Sequence, residues 1–455
     1  MAGNREAGNR TPAIYYLASL IAGLLAMGTK ESAASLPVFV YLYEWYFIQN
    51  LSRDWMRRNA AYLITALVAL GFAGLMYLGF DPMERILAGY GRRDFTLGQR
   101  LLTEPRVVVF YLGLIFIPHP ARLNLDHHFT ISQSLIDPAS TVLCLLVLAG
   151  LSAAAFFTAR HHRLLSFGIV WFLGNLVIES SVIGLELAFE HRNYLPSMFL
   201  ILAGIAGGFK VSKRTKAVVT VFTIVAVIFT LWTIQRNRVW QNRATLWQDA
   251  AMKSPNKARP HHNLALALAE KGQSVKAIEH YRRAIEIDPD KATFHTDLAV
   301  ELAALGDLRG AMRHYDKALA IVPEFFLAHL SMGKTLIQSG DRDAAMAHFE
   351  KASEIKPNSA ELHKTLGLLA LSDRQLNKAA RHFAKAIKAN PDDDDAYNSL
   401  GAAFMRGNRF DKAAKLFFMA GKLNPANAQA KANLRTAIRA MIDRNRRQFE
   451  LAEDN

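Results

Sequence analysis

The chain has 455 residues, 51% of them hydrophobic, and a formal net charge of +15. That charge is spread over loops and repeat surfaces without a nucleic-acid motif or aromatic–basic interleaving, so no nucleic-acid partner is expected. The single cysteine, Cys144, lies in an apolar stretch, which excludes a disulfide, and no Walker or dinucleotide-type glycine motif is present.

Residues 1–240 carry apolar stretches near 13–28, 33–48, 60–79, 106–118, 138–158, 164–184, 193–209 and 217–234. Crossing a hydrocarbon core takes about 20 residues, so this half reads as a polytopic membrane helical bundle. The first stretch is not read as a cleaved signal peptide, because further apolar segments follow it closely and no clear small-residue cleavage site ends it. Basic residues orient the bundle. They gather at Arg53, Arg57 and Arg58, at Arg160 and Arg163, and at Lys210, Lys213, Arg214 and Lys216. All three clusters are cytoplasmic only if one stretch between 59 and 159 fails to cross. Val107–Ile117, opened by Pro105 and closed by Pro118 and Pro120, is read as that re-entrant or interfacial segment, leaving about seven crossings. If it crosses instead, the charge rule breaks at two loops. With seven crossings the N-terminus is cytoplasmic and the C-terminal half extracytoplasmic, which is periplasmic if the host is a Gram-negative bacterium.

Three polar patches then share the outer face: Thr29-Lys30-Glu31, the segment Asn124–His128 with Asp126 and His128, and Glu190-His191-Arg192-Asn193-Tyr194. A charge near the membrane boundary is expensive unless it meets a partner or a polar cavity. Lys30 and Glu31 either neutralise one another or join Asp126, His128, Glu190, His191 and Arg192 around an outward-facing cavity. Arg192 and Lys30 would suit phosphate oxygens there, and Glu190, Asp126 or a histidine could move protons. Neither His127-His128 nor His261-His262 has further ligands nearby, so no metal is expected.

A junction and half-repeat (241–257) leads into a regular array. Pro255, Pro289, Pro323, Pro357, Pro391 and Pro425 stand 34 residues apart. Aligned on that period, Ala277, Ala311, Ala345, Ala379 and Ala413 form one column. Tyr281, Tyr315, Phe349, Phe383 and Phe417 form a second, and Ala284, Ala318, Ala352, Ala386 and Ala420 a third. Steps of four and three keep these on one helix face. First helices repeat Leu264-Ala265, Leu298-Ala299, Met332-Gly333, Leu366-Gly367 and Leu400-Gly401. This is the pattern of five tetratricopeptide units over 258–427, an all-α solenoid. Each second helix should stop before its proline, and the polar residue after it (Asn256, Asp290, Glu324, Asn358, Asp392) suits the start of the next helix. The acids Asp392–Asp395 need no ion to explain them at a helix N-terminus. Residues 428–455, with Arg435, Arg439, Arg444, Arg446 and Arg447, read as the polar cap, or as a basic surface for anionic lipid or another acidic partner.

First-helix positions 2, 5, 9 and 12 of each unit are expected on the inner curve. That places His262 and Leu266 in the first unit and Thr296 and Val300 in the second. Leu330, Lys334 and Ile337 follow in the third, Lys364, Leu368 and Leu371 in the fourth, and Asn398 and Met405 in the fifth. Such a groove, apolar at its centre with two lysines set into it, fits a protein or peptide segment bearing apolar anchors and one acidic group.

The strings Leu24-Leu25-Ala26-Met27-Gly28-Thr29-Lys30-Glu31 and Phe189-Glu190-His191-Arg192-Asn193-Tyr194-Leu195-Pro196-Ser197, with the segment 124–138, resemble motifs of the transmembrane O-mannosyltransferases, as do Trp240, Asn242 and Trp247. These are multi-spanning proteins with extracytoplasmic tetratricopeptide repeats. The resemblance implies sugar transfer from a polyprenyl-phosphate-linked donor to protein hydroxyls, without another cofactor. The family's catalytic acid lies in a first outer loop, and before Lys30 this chain has only Glu6. The expectation is therefore a membrane-anchored interaction module, or the acceptor-binding part of a transferase whose catalytic helices lie in a separate membrane subunit or in a longer form of the chain.

Overall fold

The computed structural model describes residues 35–78, 81–180, 186–188, 190–212 and 214–453. Their regular secondary structure is entirely helical, with no strand among the described residues, and the chain divides into two compact units, Met1–Pro260 and His261–Asn455.

In the first unit, α1 (Leu36–Tyr43) runs into a π turn, Glu44–Ile48, and is followed by α2 (Arg53–Leu78) and α3 (Pro82–Ala88). Then come α4 (Leu97–Phe116), α5 (Ser140–Thr158), α6 (Arg163–Glu179), α7 (Tyr194–Val211), α8 (Thr215–Val239) and α9 (Arg243–Lys253). Three of these, α5, α7 and α8, are both long and apolar enough to cross a membrane; Leu36–Ile48 and Arg163–Val177 are apolar but shorter. The expected segment at 13–28 lies outside the described residues. The segment expected to open at Pro105 does not begin there. A Thr96/Gln99 capping box starts α4 at Leu97, and Pro105 sits inside a 20-residue helix. The turn before the proline carries an ion pair at 2.7 Å between the buried side chains of Arg100 and Glu104. Val107, Val108, Tyr111 and Leu114 of α4 then pack on Phe172 and Leu176 of α6. A second cluster joins Phe39 and Tyr46 to Phe167 and Trp171. Gly174 is required there, since a Cβ on it would lie 2.7 Å from the Phe39 ring.

The second unit is the solenoid. Its helix pairs are α10 (Ala258–Ala269) with α11 (Ser274–Ile287), α12 (Ala292–Ala304) with α13 (Leu308–Ile321), and α14 (Phe326–Ser339) with α15 (Arg342–Ile355). Two more follow, α16 (Ala360–Ser372) with α17 (Leu376–Ala389) and α18 (Asp394–Arg406) with α19 (Phe410–Leu423), before the long α20 (Ala428–Glu453). Every second helix stops two residues before its proline. Each next helix starts three residues after that proline, two positions after the adjoining polar residue; Ser359, Asp393 and Asn427 supply side-chain caps at three of these starts. The alanine and aromatic columns are all essentially buried. Where the first helix carries glycine, the ring leaves room for nothing larger. A Cβ on Gly333, Gly367 or Gly401 would come within 2.7 Å of Phe349, Phe383 or Phe417.

Candidate functional site

The first helices α14, α16 and α18 enclose a cavity of about 810 Å³. Seven residues at the expected positions line it: Lys334, Ile337, Glu361, Lys364, Leu368, Asp395 and Asn398. Its other walls include Gln338, Thr365, Ser372 and Ser399. Glu361, Thr365, Leu368 and Ser372 are positions 2, 6, 9 and 13 of the fourth unit, steps of four, three and four along a single face. The open face is thus rotated slightly from the expected 2, 5, 9 and 12.

That rotation accounts for three corrections. Leu330 at position 5 is only 1% exposed and belongs to the solenoid core, and Thr296 at position 5 is buried with its hydroxyl donating to the Ala292 carbonyl at 2.9 Å. Leu371 at position 12 is buried as well, packed in the cluster around Phe383. Position 5 borders the core, so an apolar or short side chain turns inward. Lys364 and Asn398 at the same position extend their polar ends outward. Leu266 and Ile337 are half-buried against the core, and Met405 packs against the C-terminal cluster. Val300 and Leu368, both at position 9, are 41% and 54% exposed. Thr365, Ser372 and Ser399 were missed; counting 4-3-4 from the exposed position 2 would have found them.

The polar groups of this surface are bridged from one unit to the next. Lys334 meets Glu361 at 2.6 Å, and Lys364 meets Asp393 at 2.8 Å. In the first unit His262 contacts Asp297 at 2.8 Å and stacks on Phe294, and in the last Asn433 donates to Asn398 at 3.0 Å. The lysines are therefore charge-compensated in place. Exposed pairs of this kind contribute about 0–1 kcal/mol each, so they set the register of neighbouring units more than they stabilise them. Leu368 is the exposed apolar side chain of the groove, flanked by the polar groups of Gln338, Thr365, Ser372, Asp395 and Ser399.

In the N-terminal unit the structure brings together two of the three polar patches. Buried Asp126 lies 2.6 Å from Lys257 and 3.9 Å from Arg259. Asn124 donates to Ser254 at 2.9 Å, and Ser254 donates to the Asp126 carbonyl at 2.7 Å. Glu190 accepts the Asn124 backbone N–H and lies 3.3 Å from the His127 ring. Buried Arg192 donates to the Glu186 carbonyl at 2.8 Å, while the Glu186 carboxylate takes Arg93 at 2.5 Å and Arg259 at 3.6 Å. His128 and Tyr194 are exposed and do not join this network. His191 lies in the turn Glu190–Asn193; Lys30 and Glu31 fall outside the described residues. Arg93, Glu186 and Lys257 were not anticipated, and Arg259, expected at position 2 of the groove, turns to Asp126 and Glu186 instead, because partners 63 to 131 positions apart leave no local pattern.

Residues 258–291, 302–369 and 364–428 match tetratricopeptide repeat families. Mouse protein O-mannosyl-transferase TMTC1 is 27% identical over 159 residues, 32% of this chain and 17% of that protein. The human protein of the same name is 25% identical over 158 residues, 32% and 18% respectively. The match thus spans less than a fifth of the length of these curated relatives. Among solved structures, the tetratricopeptide-repeat protein TTC0263 of Thermus thermophilus is 17% identical over 40% of this chain and 98% of its own, with a TM-score of 0.36. The C-terminal unit of this chain is a tetratricopeptide-repeat solenoid.

Proposed function

We propose that the chain is a membrane-anchored interaction module whose solenoid receives an extended protein segment along α14, α16 and α18. The observation that carries this reading is the cavity itself, with Leu368 exposed at its centre and its lysines already compensated. A segment with apolar anchors gains from burying Leu368, at roughly 25 cal/mol per Å² of apolar area, without displacing a charge pair. The anchoring half of the proposal rests on α5, α7 and α8, whose apolar windows are only 11%, 11% and 6% buried by the rest of the protein. Apolar surface on that scale calls for a non-aqueous neighbour. The extracytoplasmic placement follows from the basic loops, with the bacterial inner membrane as the expected site. A photo-crosslinker at Ser399 should trap the partner. Leu368→Asp should weaken capture about tenfold or more while the fold persists. Normal capture by that variant, or crosslinks confined to the second helices, would dismiss the groove.

A second reading has its own support in the similarity to protein O-mannosyl-transferase TMTC1. Here the solenoid presents acceptor segments, and the network around Asp126, Glu190 and Arg192 lies near a polyprenyl-phosphate-linked sugar, with catalysis supplied by a separate membrane subunit. Arg192→Lys would then weaken binding of a polyprenyl phosphate, because the planar fork is lost although the charge is kept. Unchanged binding by a folded Arg192→Ala protein removes Arg192 from such a site.

A further inference from the structure

Four of the five units carry a histidine on each helix, 19 positions apart, and the two rings meet through their Nδ1 atoms. The distances are 3.2 Å for His261 and His280, 3.0 Å for His295 and His314, 2.9 Å for His329 and His348, and 3.4 Å for His363 and His382. In three units the other nitrogen is committed to the periodic proline. Nε2 of His295 is 3.1 Å from the Pro289 carbonyl and that of His329 is 3.0 Å from Pro323, while His363 bonds the Pro357 carbonyl.

A carbonyl only accepts, so Nε2 of each of these first-helix rings carries the hydrogen. The neutral ring then has a bare Nδ1, which accepts the Nδ1–H of the second-helix ring. Two hydrogens thus tie each such unit, the first-helix Nε2–H holding the proline loop and the second-helix Nδ1–H holding the first helix. An extra proton on the first-helix Nδ1 would set N–H against N–H and break the tie. On the second-helix Nε2 it would keep the bond but place a charge in a half-buried site. Among the described residues no third His, Cys, Asp or Glu completes a metal-binding set at these pairs, and cations crowd two of them, so the species they exchange is the proton.

We infer that the histidine pairs are a proton-operated coupling, which clamps the helices of each unit when neutral and releases them in acid, the first and third units before the second and fourth. The order comes from the groups facing each pair. Glu279 faces His280 beside His261, and Asp316 faces His348 beside His329; both favour protonation. Lys317, Arg282 and Arg313 surround His314, with Lys317 also near His295, and Lys385, Lys378 and Arg381 surround His382, with Lys385 also near His363; all oppose it. Burial acts first and lowers all six of His280, His295, His314, His348, His363 and His382. With the added cations His314 and His382 come down to about 4. Rings whose folded value lies below the ordinary 6.5 bind more protons unfolded. Their stabilisation is therefore complete above about pH 6.5 and is lost as the pH falls towards 4.

The test uses the full chain in detergent micelles, following exchange of each histidine C2 hydrogen with deuterium by mass spectrometry between pH 3.5 and 8. His314 and His382 should titrate near pH 4, and His280 and His348 at a higher pH than these while still below the ordinary histidine value. Midpoints all near 6.5, or the opposite order, would overturn the inference. Backbone amide exchange in α10–α17, corrected for the intrinsic rate, should rise about tenfold between pH 7 and 4.5. A variant with all eight paired histidines replaced by Asn keeps an amide donor and acceptor at each pair but cannot titrate there, and should lose that rise. The same rise in the variant refutes the coupling; if the variant does not fold, the histidine midpoints of the unaltered chain decide.

Discussion

Arg374 holds a left-handed backbone, φ 59°, at the place where Gly272, Gly306 and Gly340 stand in the earlier units with φ of 71°, 86° and 88°. A residue with a Cβ pays about 1–2 kcal/mol for that conformation, and Asn408 in the fifth unit is of the type that tolerates it best. Arg374→Gly is therefore expected to raise stability by up to about 1 kcal/mol, part of the relief being offset by the freer unfolded chain. Chemical denaturation would show it as a higher midpoint at unchanged slope. Two leucines expected on the same surface separate just as sharply. Leu330→Asp puts a carboxylate into the core and should cost about 3 kcal/mol or more, whereas Leu368→Asp should change stability by less than about 0.5 kcal/mol. Comparable losses from both would contradict the burial pattern.

At the scale of helices, the contact that sets the spacing within a unit is glycine against phenylalanine. Gly367→Ala would put a Cβ 2.6 Å from Cε1 of Phe383, between two helices that both carry other buried contacts. The expected penalty is about 1–3 kcal/mol. Gly421, in the last turn of α19, is the control, because a Cβ added there would meet nothing within 4 Å. Gly421→Ala should stabilise by about 0.5–1 kcal/mol through helix propensity alone. Thermal melts of the two variants should move in opposite directions. In the first unit α4 runs through Pro105, with the ion pair of Arg100 and Glu104 on the turn that precedes it.

For the whole molecule, the decisive measurement is on which side of a membrane the solenoid lies. Three exposed apolar helices are long enough to cross a membrane, and the proposed extracytoplasmic side rests on the basic loops between apolar segments. Alkaline phosphatase fused after Asn256 should be active in a bacterial host, and a cytoplasmic reporter at the same point silent. The reverse result removes the seven-crossing arrangement and the outer-face placement of Asp126, Glu190 and Arg192, while leaving the groove untouched.

The solenoid was legible in the amino-acid sequence because each of its contacts recurs at a fixed short spacing. Ala277, Tyr281 and Ala284 pack the same way in every unit, and a 34-residue period exposes the rule five times over. The groove was legible in part: its column at position 9 was, but the burial of Leu330, Thr296 and Leu371 was not. A helix pattern gives the angle between residues and not the direction from which the next helix approaches. The histidine pairs lie 19 positions apart, and the bond from Lys257 to Asp126 spans 131. Only tertiary structure could join them, since a hydrogen bond depends on where two helices put a nitrogen or an oxygen in space, and neither helix alone determines that.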